Sequence, residues 1–203
     1  QSMQSQEVLD YLEEFFTYAA KCPGPIAQSI SFDFAQHAGH VLFGAITHGN
    51  EVGTLPGMLK VIAGLQNKSI TYGGQVTFVL GNVEACKQNK RFIEADLNRV
   101  FLESAPASAE KERAFEMMPL IKSSDLFIDF HQTMKPCEEP FYIFPFDWQG
   151  CYWAQLLEGA QCWVTRGPGQ TFSASSVCAD EFARQHGVPG ITLEMGQMGL
   201  SDL

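Results

Sequence analysis

The chain has 203 residues, 45% of them hydrophobic, and its 13 basic and 23 acidic side chains give a formal net charge of −10. A chain of this size can bury one sizeable core, and its negative charge disfavours nucleic-acid partners because it would repel their phosphates. The six cysteines are scattered without a Cys-x-x-Cys pair, and there is neither an apolar run of about 18 residues nor a charged-then-apolar leader. We therefore expect a cytoplasmic protein with reduced thiols and no membrane partner.

Apolar periodicity predicts helices and strands that alternate along the chain. The first half is predicted to hold a helix at 8–16, strands at 30–34 and 41–46, a helix at 53–65 and a strand at 75–80. An irregular segment at 81–99 and a helix capped by Ser108 follow, and we expect Pro119 to kink or shorten that helix. The second half adds strands at 126–130, 141–146, 162–165 and 191–193, a helix at 152–158, a surface loop at 167–173, and a helix from Ser175 or Ser176 to near Gly187. This alternation predicts a layered α/β/α sandwich.

Three polar motifs follow apolar, strand-like runs of this pattern. They are His48-Gly49-Asn50-Glu51, Asp129-Phe130-His131 and Glu194-Met195-Gly196. Because ligands gather at the carboxyl ends of strands in open α/β sheets, we expect these motifs to meet in space. Two imidazoles and two carboxylates are the inventory of a catalytic zinc site, in which three ligands leave a position for water and the fourth group serves as general base. His48 alone would fit a satisfied polar residue at a strand end equally well, but the three motifs together predict a metallohydrolase.

Arginines between the first and second motifs could bind an anionic substrate. The planar fork of Arg99, beside Asn98, matches a carboxylate through two charge-assisted bonds. Arg91 is a cation that could face a developing oxyanion, which can lower a barrier by a few kcal/mol (order of magnitude). Arg184, ten residues before Glu194, is a further candidate for substrate contact. Taken alone, the 87–99 segment fits a solvated surface loop better than a site.

Other polar residues are expected to play no part in the chemistry. His37, His40 and His186 have no partner at ligand spacing, so we predict solvated or loop histidines rather than a second metal site. The serines show no Gly-x-Ser-x-Gly elbow, which disfavours a serine hydrolase.

The chain resembles the succinylglutamate desuccinylase/aspartoacylase family, a branch of the zinc carboxypeptidase-like hydrolases. Four segments carry the resemblance, in the family's order: His48-Gly49-Asn50-Glu51, the run from Arg91 to Phe101, Asp129-Phe130-His131, and the run from Gly190 to Gly196. It implies that His48, Glu51 and His131 bind one zinc ion and that Glu194 is the general base. It also implies that Arg91 polarises the scissile carbonyl, while Asn98 and Arg99 hold a substrate carboxylate.

The resemblance further implies a mixed, mostly parallel central sheet and a small-molecule substrate. The expected reaction is hydrolysis of an N-acyl amino acid such as N-succinylglutamate or N-acetylaspartate, in which Glu194 takes a proton from zinc-activated water and returns it to the leaving amine. A carboxypeptidase acting on peptide C-termini and a non-catalytic zinc-binding module are the alternatives. We expect residues 3–203 to form a single zinc-hydrolase catalytic domain, without the smaller C-terminal β-rich domain that is usual in the family.

Overall fold

The computed structural model describes residues 3–167 and 170–200 and has a seven-stranded sheet at its centre. The strand order is β1-β3-β2-β4-β7-β5-β6. The strands are β1 (Ser29–Asp33), β2 (His40–Ala45), β3 (Gln75–Leu80), β4 (Leu126–Thr133), β5 (Phe141–Pro145), β6 (Cys162–Arg166) and β7 (Gly190–Gln197). Four neighbouring pairs are parallel, and β1–β3 and β5–β7 are antiparallel. The predicted α/β class with a mixed, mostly parallel sheet is confirmed.

Helices cover both faces of this sheet. They are α1 (Gln6–Lys21), α2 (Leu55–Gln66), α3 (Val83–Lys87), α4 (Ala109–Ser123), α5 (Trp148–Leu156) and α6 (Ala179–Gln185), with a 3₁₀ turn at Leu97–Arg99. Because successive strand residues point to opposite faces, Phe43 packs with the core under α1 and α2, whereas its neighbour Leu42 packs with the core under α4 and α6. A third cluster joins α5 to β5 and β7. The central strands are thus buried on both sides, as their continuous apolar runs predicted.

Several element boundaries differ from the sequence prediction. The 81–99 segment is not wholly irregular, because Asn82 caps α3 by accepting a hydrogen bond from the Ala85 amide at 3.1 Å. The helix predicted at 152–158 begins earlier, at Trp148, where the Asp147 side chain accepts from the Gly150 amide at 2.7 Å. Pro119 lies inside α4, which continues past it to Ser123, so the expected shortening was wrong.

The start of the last helix was also predicted wrongly. Neither Ser175 nor Ser176 caps it; α6 begins at Ala179, after Cys178. The preceding residue Val177 pairs with Val100 in an isolated parallel bridge, which keeps this part of the chain extended. Asn98 then accepts a hydrogen bond from the Ala179 amide at 2.9 Å, so the cap comes from another segment of the chain.

Two further sequence predictions concern His40 and membrane-spanning helices. His40 is buried rather than solvated, and its Nε2 lies 2.8 Å from the Thr77 hydroxyl. Across the described residues, no helix has the length and apolar character needed to cross a bilayer. Two residues of the loop predicted at 167–173 lie outside the described residues, as do residues 1–2 and 201–203.

Candidate active site

The three predicted motifs meet at the carboxyl ends of adjacent parallel strands. His48 and Glu51 follow β2, His131 lies near the end of β4, and Glu194 lies in β7. Strand β2 pairs with β4, and β4 pairs with β7. The parallel order of these strands therefore brings together side chains that are up to 146 positions apart (194 − 48) in the sequence.

The backbone that leads into the first motif is strained. Ile46, a β-branched residue, has a φ of +59°, in the left-handed region that such residues avoid. A contact with another segment holds this conformation, because the Ile46 carbonyl accepts a hydrogen bond from the Asn82 amide at 2.7 Å. Gly49 has no side chain that would block the neighbouring helix, whereas a Cβ there would clash with the backbone at Cys86 and with Ala85. The glycine allows α3 to approach the motif closely.

His48, Glu51 and His131 form a buried cluster in which each offers one possible ligand atom, all within 4.8 Å of one another. The Nδ1 atom of His48 lies 2.8 Å from Glu51 Oε1, and the Nδ1 atom of His131 lies 3.0 Å from Glu51 Oε2. The two Nδ1 atoms are 3.3 Å apart. Both imidazoles therefore present the same ring nitrogen to the same carboxylate.

The opposite nitrogen of each imidazole contacts a second carboxylate. The Nε2 atom of His48 lies 2.9 Å from Asp96 Oδ1, and the Nε2 atom of His131 lies 2.6 Å from Asp129 Oδ2. Asp129 is itself held by the Thr47 hydroxyl, which donates to its Oδ1 at 2.9 Å. Carboxylates in this position fix the ring orientation and tautomer of metal-binding histidines.

Sequence reasoning missed both of these outer carboxylates. In the sequence, Asp96 resembles the other charges of a solvated loop, whereas its side chain is 19% exposed and bonded to His48. Asp129 belongs to the Asp129-Phe130-His131 motif, two residues before His131. The two-residue spacing was a usable signal, because residues two apart on a strand share a face.

Contacts within the cluster shift the protonation of its members. Burial alone would raise the pKa of the Glu51 carboxyl, but hydrogen bonds from His131 and His48 outweigh it and lower the pKa to about 2. Burial alone would lower the pKa of His131, yet the adjacent Asp129 and Glu51 carboxylates raise it well above its usual range. Burial opposes ionisation of Asp96 too, but His48 and Arg91 lower its pKa overall. Both carboxylates are therefore ionised near neutral pH.

Glu194 behaves differently from the other carboxylates. Burial is the main cause that raises the pKa of its carboxyl. Its Oε2 atom is buried, and no group in the described part of the chain bonds to it. A buried acceptor without a donor is uncommon in folded proteins and points to a ligand or a reactive role. Glu194 thus has a free oxygen beside the His48–Glu51–His131 cluster.

A cleft of about 290 Å³ opens over this cluster, lined by all four of these residues and by several cations. Arg91 reaches its floor, with Nη1 3.3 Å from Glu51 Oε1 and Nη2 3.4 Å from Asp96 Oδ2. Asn98 and Arg99 also line it. The amide oxygen of Asn98 is taken by the Ala179 amide, and its amide nitrogen has no acceptor among the described residues.

The far wall of the cleft was not predicted. It contains Arg166, at the end of β6, and Phe172, from the predicted surface loop. The guanidinium carbons of Arg99 and Arg166 lie 4.1 and 5.2 Å from the centre of the Phe172 ring. Within the described ranges, neither arginine forms an ion pair with a carboxylate, so both charges remain available to a ligand.

Arg184 does not join this site. It donates to Asp180 Oδ2 and to the Gly190 carbonyl, each at 2.8 Å. Gly190 begins β7, four residues before Glu194, which corresponds to about 13 Å along a strand. The guanidinium therefore ties α6 to the start of β7, and the expectation that it reaches the substrate is corrected.

Comparison with known proteins supports the same family as the sequence motifs. The model of the succinylglutamate desuccinylase/aspartoacylase catalytic domain matches residues 38–202. A succinylglutamate desuccinylase from Pseudomonas paraeruginosa is 27% identical over 180 residues, which cover 77% of this chain and 50% of the relative. A probable aspartoacylase from Prochlorococcus marinus is 37% identical over 105 residues, 46% of this chain and 33% of that protein.

Solved structures show the same fold. The crystal structure of succinylglutamate desuccinylase from Chromobacterium violaceum aligns with a TM-score of 0.75 at 19% identity, covering 95% of this chain and 68% of that one. Murine aminoacylase 3 aligns with a TM-score of 0.56 at 24% identity, covering 81% of this chain and 57% of that one. The chain has the fold of these two structures, and its cluster of two histidines and one glutamate lies at the carboxyl ends of the central strands. Because the catalytic-domain model matches most of its length, the chain belongs to the succinylglutamate desuccinylase/aspartoacylase family, and it spans about half the length of the curated desuccinylase above.

Proposed function

We propose that this chain is the catalytic domain of a zinc-dependent deacylase that releases an amino acid from an N-acyl amino acid. The observation that carries the proposal is the carboxylate oxygen of Glu194 beside the His48–Glu51–His131 cluster, which no described residue hydrogen-bonds. It lies in a cleft that is also lined by arginines. A site that only bound metal would have no use for this buried, unsatisfied oxygen.

The residues present fit a zinc ion. Two imidazoles and one carboxylate are a common ligand set of catalytic zinc, and each imidazole has the outer carboxylate that such ligands usually have. The short contacts between His48, Glu51 and His131 join groups that a shared cation would satisfy together. When bound there, zinc would lower the pKa of a water molecule and polarise the amide carbonyl.

Glu194 is proposed to move the proton in this reaction. As a carboxylate it accepts a proton from the attacking water, and the same oxygen then returns that proton to the nitrogen of the leaving amine. The raised pKa of its carboxyl brings its proton affinity closer to that of the groups it exchanges with. No second acid is required, because one group serves both steps.

The arginines are proposed to divide two tasks. Arg91 lies against Glu51 and Asp96, and we assign it to the charge that develops on the carbonyl oxygen. Arg99 is assigned to a carboxylate of the substrate, together with the Asn98 amide nitrogen, which has no acceptor among the described residues. Arg166 contacts the same Phe172 ring as Arg99 and is assigned to a second carboxylate of the substrate.

The substrate class follows from the size and charge of the cleft. About 290 Å³ is at the low end of the range for small-molecule sites. Arg99 and Arg166, which form no ion pair within the described residues, suit a polyanionic ligand. N-succinylglutamate and N-acetylaspartate meet both conditions. A peptide C-terminus also offers a carboxylate to Asn98 and Arg99, so carboxypeptidase activity is the outcome to test against.

Hydrolysis of a defined panel tests the proposal. The protein is stripped with a chelator, reloaded with zinc, and incubated with N-succinylglutamate, N-acetylaspartate and short peptides, while free amino acid is measured. We expect release from an N-acyl amino acid by the zinc-loaded protein and none by the stripped protein. Release from peptides alone would identify a carboxypeptidase, and zinc binding without any hydrolysis would favour the non-catalytic module.

A further inference from the structure

The loop that joins α3 to the 3₁₀ turn carries two site residues. Arg91 lies four residues after the end of α3 and contacts Glu51, and Asp96 is the last loop residue and contacts His48. The residues between them have no regular secondary structure, and Phe92 and Ile93 are 40% and 37% exposed. A surface loop of this kind is usually mobile, yet here it must hold two charged side chains in place.

A buried carboxylate binds the backbone of this loop from below. Glu110, 2% exposed, accepts hydrogen bonds from three consecutive amides, those of Ile93 at 2.7 Å, Glu94 at 3.2 Å and Ala95 at 3.1 Å. The Asn82 side chain donates to the same carboxylate at 2.9 Å. Burial would raise the pKa of the Glu110 carboxyl, but these donors outweigh it and lower the pKa.

The element that carries Glu110 is itself firmly docked. Glu110 lies in the first turn of α4, where the helix dipole favours a negative charge. The Ala109 amide donates to Glu94 Oε2 at 2.6 Å, so the helix also donates a hydrogen bond to a side chain of the loop. Arg113, one turn further on, donates to the Leu80 and Gly81 carbonyls at 2.8 and 3.1 Å. The start of α4 is thus fixed to the end of β3, beside the site.

We propose that Glu110 is a positioning residue for the active site: it clamps the loop so that Asp96 stays bonded to His48 and Arg91 stays against Glu51. Glu110 lines no part of the cleft and would act only through these two residues. The consequence for metal binding rests on the proposed function, because it takes His48 as a zinc ligand. A Glu110 that served the fold alone would affect unfolding but not the affinity of the folded protein for zinc.

Zinc affinity in a double-mutant cycle tests this role. Glu110→Gln replaces one acceptor oxygen with an amide that faces backbone donors, and we expect zinc to bind about 10- to 100-fold more weakly, the usual effect of disturbing the partners of metal ligands. Asp96→Asn should have a similar effect, and adding Glu110→Gln to it should weaken binding little further. Glu112→Gln is the matched control, since Glu112 is an exposed acid on the same helical turn, and it should bind zinc as the parent does. Unchanged zinc affinity in folded Glu110→Gln would overturn the proposal. So would a double variant whose loss of zinc affinity equals the product of the two single-variant fold-changes.

A milder change keeps the test decisive if Glu110→Gln does not fold. Glu110→Asp preserves the negative charge at the start of α4 but is too short to reach all three amides, so zinc affinity should still fall; parent-like affinity would overturn the proposal.

Hydrogen exchange in the zinc-free parent gives a second measurement, in which the Ile93, Glu94 and Ala95 amides should be protected despite their exposed loop. Exchange at unprotected rates would contradict the clamp. Both readouts are independent of turnover, so an inactive parent would count against the proposed deacylase and not against Glu110.

Discussion

His131 and Glu194 are register partners on the parallel strands β4 and β7, so their side chains stand next to each other on one face of the sheet. This pairing places a proposed zinc ligand directly beside the proposed general base. A slip of one residue would turn Glu194 to the opposite face, where Leu193 and Met195 now pack. The position of the proposed base relative to the proposed ligand is therefore set by strand register rather than by a flexible loop.

Removing either histidine should abolish stable zinc binding. We expect His48→Ala and His131→Ala to retain little zinc after dialysis, because two remaining ligands hold the ion poorly. Added zinc should stabilise the parent against heat and have a much smaller effect on these variants. His186→Ala, at an exposed histidine that does not line the cleft, is the control. Full zinc content in both His48→Ala and His131→Ala, measured by metal analysis, would refute the assignment.

Zinc binding should release a proton near pH 7. In the metal-free protein the neighbouring carboxylates raise the pKa of His131 well above its usual range, so the ring carries a proton on each nitrogen. Zinc requires an unprotonated Nδ1, and its affinity should therefore fall as the pH falls. Calorimetric titrations in two buffers of different ionisation enthalpy measure the protons released. Equal heats in the two buffers would mean that His131 does not give up a proton.

Arg99 and Arg91 should affect different kinetic constants. Arg99→Ala should mainly raise KM, because it removes a carboxylate ligand, and Arg91→Ala should mainly lower kcat, because it removes charge beside the developing oxyanion. The assays need saturating zinc, since Arg91 also contacts Glu51. Arg99→Lys should restore only part of the loss, because an ammonium lacks the bidentate fork. Equal losses on an ester without the distal carboxylate would argue against this division.

Arg166 should discriminate between substrates by their number of carboxylates. Replacing it with Met should raise KM for a substrate with a second carboxylate by about 10- to 100-fold, the loss expected from one charge-assisted hydrogen bond. The same variant should treat a substrate with a single carboxylate almost as the parent does, which makes that substrate the internal control. An equal change in KM for both substrates would show that Arg166 does not bind the second carboxylate.

The centre of the site could be predicted because it obeys a rule of sheet geometry. His48, His131 and Glu194 each follow an apolar run, and parallel strands present their carboxyl ends at one edge. Side-chain chemistry suggested roles for Arg91, Asn98 and Arg99, but their segment alone resembled a solvated loop, and the resemblance to the family favoured the functional interpretation. The structure brings all of these side chains into one cleft.

Apart from Asp129, the support around the site could not be predicted, because it depends on contacts between distant segments. Asp96 and Glu110 resemble surface acids in the sequence, and only the fold shows that one bonds His48 and the other binds a loop. The positions of Arg184 and Arg166 relative to the cleft could not be predicted from the sequence either. Spacing from Glu194 favoured Arg184, but the orientation of α6 directs it to Gly190, while Arg166 reaches the cleft from the end of β6.

Exchange of Glu194 for Gln is the most direct test of the proposed chemistry. The change is nearly isosteric and leaves the other cluster residues in place, so the variant should fold, retain zinc and bind substrate with similar affinity. Its kcat on the best N-acyl amino acid should fall about 10²- to 10⁴-fold, the range expected for loss of a general base. If zinc-loaded Glu194→Gln instead hydrolyses that substrate as fast as the parent, Glu194 is not the proton acceptor and the proposed mechanism is wrong.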